Sequence, residues 1–178
     1  MHPDLMKKAL KTLDKKLQEL GTKPVKLLIG GGGAFGLAHQ VPLHTADIDG
    51  VPYQSAVTQA QLDPLVKATG RELEISPDWL NPYFETFLGS LPSDYGSRLV
   101  KVYDGQILTA FALGLEDLLI MKSFAGREKD MPHAKILLRK GADINFVEAH
   151  LRSLLKKKYP GAQAALDFLL EAEDEIGG

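Results

Sequence analysis

The chain has 178 residues, with 21 basic and 23 acidic side chains for a formal charge of −2, 44% hydrophobic residues and no cysteine. That length and apolar content can bury a sizeable core, which excludes disordered, collagen-like and coiled-coil classes. The lack of cysteine removes a disulfide scaffold, a thiolate zinc site and a cysteine nucleophile, and the near-neutral charge gives no broad field for gripping duplex nucleic acid.

Leu5, Ala9, Leu10, Leu13, Leu17 and Leu20 recur at helical spacing, with Pro3 placed for a first turn and Gly21 for a C-terminal cap. This predicts an amphipathic helix over residues 3–20. Residues 25–29 form a short β-prone run that leads into Gly30, Gly31, Gly32 and Gly33 and then into Ala34 to His39, the order strand, glycine turn, helix. Next comes Thr45-Ala46-Asp47-Ile48-Asp49. As a strand, its period of two puts Asp47 and Asp49 on one face with Thr45 beside them. A helix over residues 55–69 and a short strand Leu73-Glu74-Ile75 are predicted to follow, and Pro77, Pro82 and Pro92 leave room only for short helical pieces after them.

Residues 99–103 and 106–113 flank Asp104-Gly105, a hairpin signal. Beyond them the pattern is helical over residues 115–127, 132–139, 145–157 and 162–172, with an acidic end at 171–178 expected to fray. The predicted fold class is α/β (α+β): a small mixed sheet with an N-terminal helix over residues 1–114, and a helical C-terminal extension over 115–178 packed on it. No apolar run reaches the length of a membrane span and the N-terminus has no hydrophobic signal core, so a cytoplasmic protein without membrane partners is expected.

Gly31, Gly33 and Gly36 satisfy G-x-G-x-x-G, but the helical second half never develops the doubly wound sheet that a dinucleotide site needs. Residues 30–39 are also similar to the oxyanion loop of patatin-like acyl hydrolases, yet the nearby Ser55 lacks the flanking glycines of a nucleophile elbow. A third reading uses more of the chain. Two carboxylates at i and i+2 on a strand can hold magnesium, and a third from a neighbouring strand completes a clamp for a triphosphate and an attacking hydroxyl. Asp47 and Asp49 are the pair; Glu74 is the candidate third acid, with Glu72 as its substitute two residues earlier.

The order Ile29-Gly30-Gly31-Gly32-Gly33-Ala34 followed by Thr45-Ala46-Asp47-Ile48-Asp49 resembles the first motif of the nucleotidyltransferase superfamily. Residues 116–130 resemble the K-x-x-A-x-x-R-x-K-D type of helix found in small nucleotidyltransferase-like proteins of toxin-antitoxin and abortive-infection systems, with Lys122, Ala125, Arg127 and Asp130 in that order and Arg127 only two residues after Ala125. The sequence departs from those relatives at His133, where a further acid is usual, and at Gly50 and Pro52, where an apolar strand usually continues.

The resemblance spans residues 25–140. It implies a magnesium-dependent transfer of a nucleoside monophosphate from an NTP to an RNA or protein hydroxyl. Asp47 and Asp49 would hold the metal and Glu74 would complete the catalytic clamp. Gly31, Gly32, Gly33 and Thr45 would contact the nucleotide, with Lys122 and Arg127 facing its phosphates and Asp130 a polar partner near them. The competing class is a non-catalytic antitoxin or scaffold of the same fold, since members of one fold lose chemistry while keeping structure.

Overall fold

A computed structural model describes residues 1–177. Helix α1 (Pro3–Leu20) begins with Pro3 in its first turn and stops at Gly21, which takes the left-handed conformation at φ 67°. Strand β1 (Val25–Ile29), helix α2 (Gly31–Ala38), strand β2 (Ile48–Pro52), helix α3 (Gln59–Glu72) and the two-residue strand β3 (Leu80–Asn81) follow. After two 3-10 segments come β4 (Val100–Asp104) and β5 (Leu108–Ala112), then helices α4 (Leu115–Ala125), α5 (Met131–Arg139), α6 (Ile144–Lys156) and α7 (Ala162–Gly177). The five strands form one mixed sheet in the order β3-β2-β1-β5-β4. The mixed α/β class predicted from the sequence is the class observed.

The chain divides into two compact units, Met1–Thr86 with Leu99–Leu113, and Phe87–Arg98 with the chain from Gly114 onward. The first holds the sheet and α1 to α3. β1 is central, antiparallel to β2 and parallel to β5, and four of its five residues are buried, as expected of a strand covered on both faces. α1 lies against α2, α3 and β5, burying Met6, Leu10, Leu13 and Leu17. The second unit packs α4 against α5, α6 and α7, and α6 against α7. Leu118, Leu119 and Ile120 of α4 are all buried, which explains why that helix shows no clear polar face.

Several local expectations are corrected. The strand expected at Thr45–Asp49 starts later: Asp47 lies on a bend, and β2 runs on through Gly50, Val51 and Pro52, in register with Ile29, Leu28 and Leu27. Pairing with the buried β1 outweighs the breaker signal of Gly50 and Pro52, which lies at the strand's end. The strand expected at Leu73-Glu74-Ile75 does not form. Thr58 and Gln61 make a reciprocal capping box that starts α3 late, the helix continues to Glu72, and Glu74 sits exposed in a left-handed turn at φ 54°. The expected glycine turn is instead the first turn of α2, with Gly30 as its N-cap. The acidic C-terminal segment is helical through Gly177, with Ala172 buried on α7 and Glu175 paired with Lys135 of α5; Gly178 lies outside the described residues.

The Asp104-Gly105 hairpin forms, but on a longer connection held by a residue far away in sequence. Asp14 of α1, almost fully buried, accepts the backbone N–H groups of Gln106, Ile107 and Leu108 at 3.0, 2.8 and 2.8 Å and the Tyr103 hydroxyl at 3.3 Å. Gly105 is required by proximity, since a Cβ there would lie 2.3 Å from Asp14 Oδ2. Burial pushes the Asp14 carboxyl up, but the donors together outweigh it and hold it below the ordinary aspartate range. Burial and the Asp14 charge push the Tyr103 phenol up to about 12.

Replacing Asp14 by Ala orphans these donors and is expected to cost about 3 kcal/mol, read as a lowered urea midpoint at pH 7. Because the folded carboxyl titrates below its unfolded value near 4, its contribution is complete above about pH 4 and is lost as pH falls through the folded value. The difference between wild type and Asp14→Ala should therefore shrink on acidification.

Candidate functional site: an acid pair on a glycine helix start

Antiparallel pairing of β1 and β2 sets Gly50 opposite Ile29 and brings Asp49 to the start of α2, where Gly30 N–H donates to the Asp49 carbonyl at 2.9 Å. Each glycine of the run then meets a particular neighbour. A Cβ on Gly30 would lie 2.8 Å from the Phe84 ring, one on Gly31 only 1.9 Å from Asp49 Oδ2, one on Gly32 2.8 Å from Thr45 Cβ, and one on Gly33 3.0 Å from Ile48 Cγ2. The glycines are therefore not an open hollow on their Cα side. They are the seat on which Asp49 and Thr45 rest, and Gly31 also needs its positive φ of 51°.

Burial alternates along this segment: Ile48 and Gly50 are buried, while Asp47 and Asp49 are partly exposed. The two carboxylates thus flank a buried isoleucine, although only Asp49 lies within the strand. Thr45 Oγ1 donates to the Asp47 carbonyl at 3.0 Å and pins the bend that carries the first acid. The hydrogen-bond ladder of α2 begins with Ala34 N–H to Gly30 O at 3.0 Å. The amides of Gly31, Gly32 and Gly33 precede it, at the helix end that favours anions.

The neighbouring strand does not supply the expected third carboxylate. In the parallel β2–β3 pair, Ile48 is in register with Leu80 and Asp49 with Asn81, so the position beside Asp49 carries an amide. Glu74 lies in the exposed turn after α3, and Glu72 ends α3 paired with Lys16 of α1. Among the described residues no group of three or more His, Cys, Asp or Glu side chains is placed to hold a metal ion. A two-carboxylate site nevertheless suits magnesium, which commonly takes one or two protein carboxylates and completes its octahedron with water and substrate phosphates. The sequence reading missed Asn81; a two-residue strand among prolines leaves no periodicity to detect.

Lys122, Arg127 and Asp130 converge within the second unit. Asp130, 1% exposed, accepts Lys122 Nζ at 2.7 Å and Arg127 Nε and Nη2 at 2.6 and 3.2 Å. The anion that a lysine on an apolar helix requires is thus an internal carboxylate. Burial pushes Asp130 up, but the hydrogen bonds from Arg127 and Lys122 outweigh it and hold the carboxyl below its ordinary range. Burial and the Lys122 charge in turn hold His133 below the usual histidine value. A second buried acid, Asp117, is bridged by Arg98 Nε and Nη2 at 2.9 Å each, with the guanidinium 4.8 Å from the Phe146 ring centre. Burial raises Asp117 above the ordinary range despite Arg98.

A family model described as "Nucleotidyltransferase of unknown function (DUF6036)" matches residues 8–159. The chain belongs to this family. The match takes in the acid pair, the glycine helix start and the Lys122–Asp130 segment, so the nucleotidyltransferase resemblance of the sequence extends over most of the protein. No curated protein and no solved structure matches the chain.

Substitutions at two positions probe this nucleotidyltransferase-family geometry. In Gly31→Ala the new methyl group displaces the Asp49 carboxylate and the left-handed backbone is strained, an expected loss of about 2 kcal/mol or more in chemical denaturation. Asp130→Ala leaves Lys122, whose side chain is 13% exposed, without its anion. Breaking a buried pair in this way is expected to cost about 3 kcal/mol, while Asp130→Asn, which keeps the shape and one acceptor oxygen, should cost less.

Proposed function

We propose that this chain is a magnesium-dependent nucleotidyltransferase of the cytoplasm, moving a nucleoside monophosphate from an NTP to a hydroxyl of RNA or of a partner protein within a toxin-antitoxin or abortive-infection system. The observation that carries the reading is the seating of Asp49 on Gly31 at the start of α2, with Asp47 two residues before it. A carboxylate at the start of a helix, with a second acid two residues away and free-standing first-turn amides nearby in sequence, supports the reading of a metal-bound triphosphate site. The resemblance of residues 116–130 supports the toxin-antitoxin setting.

In this reading Asp47 and Asp49 bind the metal through carboxylate oxygens, and the amides of Gly31, Gly32 and Gly33 hold phosphate oxygens. Thr45 keeps the Asp47 bend in place. Magnesium held there supplies charge neutralisation across the triphosphate oxygens. The acceptor hydroxyl forms a bond to the α-phosphorus, the bond from that phosphorus to the bridging oxygen breaks, and pyrophosphate leaves with the electron pair. The hydroxyl proton passes to a carboxylate of the pair. Glu74 takes no part, because its turn is exposed and outside the sheet, and Lys122 stays committed to Asp130.

The second reading, a non-catalytic antitoxin or scaffold that retains the fold, is favoured by one observation: the position beside Asp49 carries the uncharged Asn81. Titrating ATP, GTP, CTP and UTP with magnesium against wild type and an Asp47→Ala, Asp49→Ala double variant separates them. The enzyme reading expects magnesium-dependent binding of at least one nucleotide, weakened at least about tenfold in the double variant. Labelled NTPs incubated with total tRNA or a candidate partner protein then report turnover. Nucleotide binding with no transfer of label leaves the scaffold reading.

A further inference from the structure

We propose that Asn81 and Tyr83 form a nucleoside-recognition edge for the acid pair, in which the Tyr83 ring stacks on the base and the Asn81 amide donates to an oxygen of the same nucleotide. The inference rests on the NTP-binding reading above and extends it to residues that reading does not use. Its first support is register. Ile48 and Leu80 are paired and buried, whereas Asp49 and Asn81 are paired and partly exposed. In-register residues of parallel strands share a face, and neighbouring strands lie about 4.8 Å apart, so Asn81 stands beside Asp49 on the side of the sheet that carries the acids.

The second support is the orientation of the amide. Asn81 Oδ1 accepts the Tyr83 backbone N–H at 3.0 Å, which assigns the other end of the group as the NH2 donor. A donor without charge, next to Asp49, fits the ribose or phosphate oxygens of a polyanion. A third carboxylate in its place would bind metal more strongly and offer such oxygens nothing.

The third support is the exposure of Tyr83 on an anchored segment. Tyr83 is 68% exposed, and among the described residues the other large apolar residues on the surface are the aliphatic Leu20 and Val100. The flanking residues are fixed. Trp79 is buried, with its Nε1–H donating to the Val66 carbonyl at 2.9 Å, Pro82 restricts the backbone, and Phe84 is buried with its ring against Gly30. An aromatic ring held out to solvent at the head of a 3-10 segment, with buried residues before and after it, loses little entropy on stacking, and π-faces of all four bases stack on it without hydrogen-bond readout.

The test measures binding of magnesium-ATP, magnesium-tripolyphosphate and Mn²⁺ alone to wild type, Tyr83→Ala, Tyr83→Trp, Asn81→Asp and the Asp47→Ala, Asp49→Ala double variant. Tyr83→Ala is expected to weaken ATP about tenfold and leave tripolyphosphate unchanged, with Tyr83→Trp retaining ATP affinity. Asn81→Asp is expected to tighten Mn²⁺ several-fold, roughly the effect of one added carboxylate, and to weaken ATP. The proposal is overturned if Tyr83→Ala binds ATP as wild type does, if it weakens tripolyphosphate equally, or if Asn81→Asp leaves Mn²⁺ affinity unchanged. Should ATP binding depend on the aspartate pair but not on residue 83, this edge alone fails. Should wild type bind neither ATP nor tripolyphosphate, the nucleotidyltransferase reading fails and this proposal with it.

Discussion

A carboxylate resting on the Cα of a glycine is the contact on which the geometry of the first unit's candidate site depends. Asp49 can occupy its place only because Gly31 has no side chain and accepts a positive φ. The contact brings a negative group to the positive end of α2, where the amides of the first turn precede the helical ladder. Asp14 repeats the device on Gly105, this time to tie the β4–β5 connection to α1. In one case the acid is almost wholly buried and saturated with backbone donors; in the other it stays partly exposed beside a second carboxylate. That difference in exposure separates the two acids: water and solutes reach Asp49 but not Asp14.

The second unit uses its acids in the structural way. Asp130 gathers Lys122 and Arg127, and Arg98 bridges Asp117 and Asp94 while lying over Phe146. Buried pairs of this kind contribute little net stability compared with apolar packing, but losing one partner is expensive, so they hold side chains in one arrangement. The motif residues Lys122, Arg127 and Asp130 are thus a mutually satisfied cluster. Their spacing on α4 and in the following turn follows from the need to bring two cations to one carboxylate.

Much of the architecture was legible because it rests on periodicity. Leu10, Leu13 and Leu17 announce the buried stripe of α1, and Gly21 marks its left-handed end, whereas Gly126 ends α4 at Ala125, short of the expected Arg127 limit. The acid pair was legible as a pattern, Asp-x-Asp after a glycine run. The strand expected for Glu74 was misplaced because Leu73-Glu74-Ile75 alternates like a strand, whereas α3, started by the Thr58–Gln61 capping box, runs on to Glu72 and leaves Glu74 in the turn after it. Asn81 was invisible for a different reason: its importance comes from lying beside Asp49, thirty-odd residues away in sequence, through a strand too short to show a period.

By itself the sequence determined the mixed α/β class, the seven main helices in outline and the nucleotidyltransferase motif, since each is encoded in spacing along a few consecutive residues. Only the tertiary structure decided that the glycine run is occupied by Asp49 and Thr45, that an asparagine stands beside the acid pair, and that Asp130 takes the charges of Lys122 and Arg127. Those outcomes depend on strand register and on which side chain fills a given space. Register is set by pairing between distant segments, and no local pattern of residues carries it.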